Sequence, residues 1–307
     1  MSLTAATRSR RVRREALEGY LWISPWLVGL LIFTAGPILV SLFLGFTTYK
    51  IGGTPEWVGL ENYRYAFFDD KLFWPSLGRT GYYAVFTVIL GISGSLLLAI
   101  LLDKVVRARA LYRAMYYLPS LTPAVATAIL WKWLLHPQVG LVNDLLRHIG
   151  IKGPGWLTST TWAIPSMILI SLWGSVGGGR MIIFLAGLQG VPTELYEAAD
   201  IDGASPRHKF WRITIPMISP TILFNLVLGV IGSFNVFTLS YVATEGGPNY
   251  ATWFYMLHLY YNAFSFFQMG YASSLAWILF IIVMVLSFVQ IKTSQRWVYY
   301  DFSEVAQ

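Results

Sequence analysis

Over 307 residues, apolar side chains make up 56% and charged ones only 12%, with a mean hydropathy of +0.57, which excludes ordinary soluble usage and points to lipid as the solvent. The net charge of +7 and pI near 9.5 do not indicate nucleic-acid binding, because the basic residues cluster beside apolar stretches, where they set membrane orientation. The lack of cysteine excludes disulfides, thiolate nucleophiles and Cys-ligated metal, and His136, His148, His208 and His258 are too scattered for a metal-ligand spacing.

A hydrocarbon core about 30 Å thick takes about 20 apolar residues of helix. Six stretches meet that length, over 21–46, 80–102, 115–135, 163–188, 218–243 and 272–292. The expected fold is all-α and polytopic: a basic tail over 1–20, one six-helix membrane domain over 21–292 and a short tail over 293–307. Pro37 and Pro123 fall inside spans, where neighbouring helices can satisfy the carbonyls that proline frees. The arginine-rich start, with Ser9-Arg10-Arg11, superficially matches a twin-arginine signal. The apolar run behind it is too long for a signal's apolar core of about 7 to 15 residues, so it reads as a retained first span. With that start cytoplasmic, fourteen Lys and Arg residues fall on the inner side and six on the outer. The positive-inside rule therefore predicts both termini in the cytoplasm.

The fourth span contains Trp173-Gly174-Ser175-Val176-Gly177-Gly178-Gly179-Arg180. Three successive glycines weaken a helix at membrane depth, and broken helices there are tolerated where they are buried in protein or line a cavity. Arg180 is costly in lipid and is expected to face the bundle interior, either hydrogen-bonding a polar cargo or pairing with a carbonyl or a partner's carboxylate. Trp173 offers an aromatic face on which a ring can stack, with packing as the alternative. Asn235 in the fifth span is a further polar candidate for the same interior, with an interhelical hydrogen bond as its alternative.

Between the fourth and fifth spans a charged loop over 189–216 must face water. Pro192 and Thr193 can open a helix there, and Glu194 suits its positive end. Ala198 and Ala199 permit close backbone approach, and Gly203 can end the helix at positive φ. Ser205 and Pro206 can cap a second short helix through Trp211. Glu197, with Asp202 nearby, is placed to meet an arginine of a partner. Beyond the fifth span, Tyr250, Trp253, Tyr255, Tyr260 and Tyr261 have the aromatic density of a membrane interface, and contact with another protein on that side is the alternative.

The series Glu197-Ala198-Ala199, Gly203 and Ile213-Thr214-Ile215-Pro216 closely resembles the coupling motif of ABC-importer permeases. It is joined by Val58-Gly59-Leu60-Glu61-Asn62-Tyr63, Trp131-Lys132-Trp133, Gly140-Leu141-Val142-Asn143 and Phe184-Leu185-Ala186-Gly187-Leu188-Gln189. Phe234, Phe237 and Tyr241, then Gly246-Gly247-Pro248 and Gly270-Tyr271-Ala272, complete it. Over roughly 21–292 the chain is similar to carbohydrate-type permeases of the type I importer class. The resemblance implies a prokaryotic inner-membrane subunit that pairs with a second permease, sits on two cytoplasmic ATP-binding subunits and receives cargo from an extracytoplasmic solute-binding protein. It places ATP and Mg on the partner subunits, with no cofactor in this chain, and no G-x-x-x-x-G-K-[ST] loop occurs here. An oligosaccharide, a monosaccharide or a glycerol phosphate each suits the resemblance, and Arg180 favours an anionic one. The competing class is an ion-coupled secondary transporter, but the membrane carboxylates it would want are not visible. A membrane enzyme lacks any nucleophile, base and metal constellation.

Overall fold

The computed structural model describes residues 3–104 and 108–299. The chain forms two compact units, Met1–Asp69 with Asn262–Ile278, and Asp70–Tyr261 with Leu279–Gln307. The described residues are helical almost throughout, and the extended pairing among them is a lone Thr47–Trp57 bridge.

In the first unit, helix α1 (Leu3–Leu30) passes through a π turn (Leu31–Ala35) into α2 (Gly36–Leu44). Pro37 has no N–H to give the preceding turn, and the wider turn absorbs the mismatch, the Gly36 N–H reaching back to the Leu31 carbonyl. The span remains continuous, as expected. Behind it, Asn62 Nδ2 donates to the carbonyls of Gly45 and Thr47, both at 2.9 Å. Gly270 lies so close to the Thr47 backbone that a β-carbon would collide with it. Two of the motif positions that carry the resemblance are thus scaffold.

The second unit is built around α3 (Phe73–Lys104), which at about 1.5 Å per residue is longer than a membrane core needs. One face of α3 buries Thr80, Ala84, Val88, Gly91, Ser95 and Ala99 at three- and four-residue steps. In lipid, where apolar burial no longer drives helices together, small residues in such a row let backbones approach closely. Against α3 lie α6 (Ala163–Ser175), α7 (Gly179–Gln189) and α10 (Ser219–Phe234). A core of Ala99, Leu102, Met181, Phe184 and Leu185 closes one end of this layer.

Three of the six expected spans are interrupted. The third divides into α4 (Arg109–Tyr117), a 3-10 turn (Leu118–Leu121) and α5 (Ala124–Leu134). Pro119 lies in that turn and Pro123 immediately before α5, so two missing donors stop one continuous helix from forming. The fourth bends by 52° between α6 and α7. The fifth breaks between α10 and α11 (Thr238–Ala243), and the last, α12 (Met269–Ser294), is unbroken. Among the described residues, three helices are long and apolar enough to cross a membrane, or five elements if each bent pair counts once.

Candidate functional site

The water-facing loop is a helix, a sharp corner and a second helix. Thr193 begins α8 (Thr193–Ile201), and Gly203, at φ +71°, stands past its end. The Ala204 N–H reaches the Ala199 carbonyl at 2.9 Å and the Gly203 N–H reaches that of Asp200 at 3.1 Å. This paired return of donors is a Schellman motif, and it needs a residue at ease with positive φ. Ser205 Oγ then accepts the His208 N–H at 3.3 Å to start α9 (Pro206–Lys209), as the sequence predicts, and a π turn (Phe210–Thr214) carries the helical path past the expected end at Trp211. Two side-chain braces set the corner: Lys209 Nζ donates to Asp200 at 2.6 Å, and the hydroxyls of Tyr196 and Thr214 are 2.9 Å apart.

Glu197, Ala198, Asp202 and Gly203 are exposed and Ala199 is half-buried. Sequence reasoning missed their apolar companions. Ile201 is 88% exposed and Trp211 65%, a cost that a water-facing loop bears where another surface covers it. The charge pattern of the loop drew the reading to Glu197, and nothing in a single sequence says which way Ile201 points.

In the interrupted fourth span, Val176, Gly177 and Gly178 leave the helix, and Gly178 adopts an extended conformation. The third span's turn fills the gap. A β-carbon on Gly177 would run into the carbonyl of Tyr116, and one on Gly178 would approach Ser120. The end of α4 and the turn after it therefore cover the buried Gly177 and Gly178, the arrangement in which irregular backbone is tolerated at membrane depth. At the end of α6 the Ser175 carbonyl accepts from Ser95 Oγ of α3 at 3.4 Å.

Arg180 follows this break and is half-buried, facing inward as expected. A β-carbon at Gly91 of α3 would collide with its Nη1, and one at Gly229 of α10 would stand 3.5 Å from its Nη2. The guanidinium thus occupies a slot lined by two glycines, and among the described residues its enclosed Nη1 has no hydrogen-bond acceptor. Trp173, 36% exposed, meets Trp131 edge-on with ring centroids 5.7 Å apart. It borders a groove of about 610 Å³ with Leu97, Leu101, Tyr116, Pro119 and Val176. Asn235 stands apart from the other two. It is exposed just past α10, and its Nδ2 donates to the Ile231 carbonyl of its own helix at 2.7 Å, so the interhelical bond considered for it does not form.

Outside this region a buried polar pair emerges and one expectation, the aromatic belt, changes. His258 is buried, and its Nδ1 accepts the Trp253 indole N–H at 3.1 Å. An indole nitrogen only donates, so Nε2 carries the proton that is given to Asp70 at 2.7 Å. Trp253 and Tyr255 are likewise buried, 8% and 0% exposed, and do not form an interfacial belt. Burial, then the Asp70 charge, hold the Tyr255 phenol above its ordinary pKa. Among the described residues no group of ligands suited to a metal ion occurs.

A bundle of broken apolar helices with a braced, water-facing helical corner is the architecture of a membrane transport subunit. The family model for binding-protein-dependent transport system inner membrane components matches residues 91–298, and the chain belongs to that family. The probable ABC transporter permease protein YesP of Bacillus subtilis is 40% identical over 98% of this chain and 97% of its own. The lactose transport system permease protein LacF of Rhizobium radiobacter is 35% identical over 96% and 99%. A crystal structure of a bacterial alginate ABC transporter, in complex with an alginate pentasaccharide-bound periplasmic protein, contains a chain of the same fold. Its TM-score is 0.82 at 24% identity, covering 94% of this chain and 96% of that one. As a member of this family the chain is a multi-pass permease subunit of an ABC importer with no catalysis of its own. The ion-coupled carrier is left without support.

Proposed function

We propose that this permease imports a sugar, with the loop over 189–216 as the element that docks on cytoplasmic ATP-binding subunits. The observation that carries the docking role is the exposed trio of Glu197, Ile201 and Trp211 on a corner braced at four points. A rigid loop passes a push from a neighbour into the helices at its ends, whereas a slack one absorbs it. An anionic side chain flanked by apolar ones suits a partner that presents arginine within an apolar groove.

In the same reading a second permease completes the path and an extracytoplasmic solute-binding protein delivers the cargo. ATP and Mg reside on the partner subunits, and both termini face the cytoplasm of a prokaryotic cell. The sugar assignment draws support from the lactose permease relative. The path is assigned to Trp173 and Arg180 at the broken span, with Asn235 an outlying member.

Reconstitution with the partner subunits and a sugar-loaded binding protein tests the whole reading: ATP-dependent uptake supports it, and its absence refutes it. Single cysteines at Ser205 and Ser159 of this cysteine-free chain are expected to label from opposite sides, and labelling of both from outside overturns the orientation. Trp173→Ala is expected to impair uptake and leave assembly intact, whereas normal uptake assigns Trp173 to packing.

A further inference from the structure

We propose that the cargo is an acidic sugar and that Arg180 is the residue that receives its carboxylate. This rests on the sugar-permease reading above and narrows it. All fifteen Asp and Glu residues lie outside the six expected spans, at 15, 18, 56, 61, 69, 70, 103, 144, 194, 197, 200, 202, 245, 301 and 304. The chain therefore places a guanidinium at membrane depth without a single carboxylate at that depth to balance it. A guanidinium remains charged in proteins and carries five donors in a fixed fork. Left unpaired in a low dielectric, it is costly.

The geometry shows where it waits. Gly91 and Gly229 bring backbone close to the head group but no acceptor side chain, and among the described residues nothing accepts from Nη1. A structural arginine of this kind is ordinarily held by a carboxylate or by carbonyls. Here the slot accommodates the group's shape and leaves its charge unmet. The slot lies beside the break at 176–178, where α6 and α7 meet at 52°, so the head group sits at a joint rather than in the middle of a rigid rod. The beginning of α7 adds the positive end of a helix dipole directly at Arg180. Arg180 is only half-buried, so an arriving carboxylate can take N–H donors from the part of the fork that is not enclosed, a charge-assisted contact that a neutral hydroxyl cannot match. A sugar carrying a carboxylate thus supplies the counter-charge that this chain does not place beside Arg180.

The test uses the complete transporter with its own binding protein in proteoliposomes, offered a hexuronate trisaccharide, its carboxyl-reduced neutral counterpart and lactose. The native complex is expected to import the acidic form in preference to its reduced counterpart. Arg180→Gln is expected to lower the acid-to-neutral uptake ratio at least about tenfold, the scale of a hydrogen bond to a charged group. Arg180→Lys, which keeps the charge and loses the fork, should retain part of the preference. Three results overturn the proposal: import of the neutral sugars without the acidic one, an unchanged ratio in Arg180→Gln, or loss of the second permease on purification of both variants. The last result assigns the counter-charge to the partner subunit. If the native complex imports none of the three sugars, the sugar-permease reading falls as well.

Discussion

Two helix–break–helix segments lie close together in the chain, 163–189 and 193–217, and each turns at glycine for a different physical reason. In the water-facing corner, Gly203 has open space around it and is needed for its backbone, at φ +71°. In the membrane break, Gly177 has an ordinary backbone and is needed for its missing side chain, because the Tyr116 carbonyl occupies the place of a β-carbon. Water lets a loop satisfy stray backbone groups at any spacing, so its glycine answers to conformation. Lipid offers no such partners, so a broken helix must be covered by protein at close range and its glycine answers to sterics.

The contrast can be broken most forcefully at Gly177. Gly177→Val puts branched carbons into the Tyr116 backbone, and overpacking of this kind costs about 3 kcal/mol or more when the obstacle is main chain. The expected outcome is a subunit that no longer elutes as a monodisperse peak on size-exclusion chromatography in detergent. A well-behaved Gly177→Val protein would show that the two breaks do not support one another.

The corner should respond differently, with function failing before folding. Losing the Glu197 contact should weaken docking by about 2 to 5 kcal/mol. Forcing a branched residue into the left-handed region at Gly203 costs about 1 to 2 kcal/mol locally. Glu197→Ala and Gly203→Val should therefore insert and fold normally, while co-purifying with less ATP-binding subunit and showing little cargo-stimulated hydrolysis. Parental hydrolysis and transport in both would remove the loop from its coupling role.

The smallest effect sharpens the comparison by reversing its sign. Gly179 adjoins Gly178 but begins α7 with ordinary φ and nothing within 4 Å of an added β-carbon. Gly179→Ala should be neutral or stabilising by up to about 1 kcal/mol, since alanine narrows the unfolded ensemble. A matching rise in melting temperature in detergent would separate the adjacent glycines into one that can be filled and one that cannot. A destabilised Gly179→Ala would mean that all three share one role.

Much of the candidate site was legible in the residues themselves. The Schellman corner at Gly203 and the Ser205 cap follow from local chemistry within a few residues, which is why the reading held there. The same locality explains what was missed. Asp70 and His258 meet across 188 residues, and the Asn235 amide turns back to a carbonyl of its own helix, a partner that sequence alone does not select.

By itself, the sequence determined that the chain lives in lipid, roughly where it crosses, and that a charged helical corner faces water. Composition, the length of the apolar runs and local capping chemistry decide these matters, because solvent and local hydrogen bonding act on each segment separately. Only the tertiary structure decided which spans break and what covers the breaks. The first span has a most apolar stretch of mean hydropathy 2.4 with none of it buried in this chain, while that of α3, at 2.6, is 33% buried. Hydropathy is blind to that difference, because an apolar side chain facing lipid and one facing a neighbouring helix leave water equally well. The difference lies in close packing and in unmet charge: the Tyr116 carbonyl against Gly177, and a guanidinium between two glycines whose Nη1 meets no acceptor among the described residues.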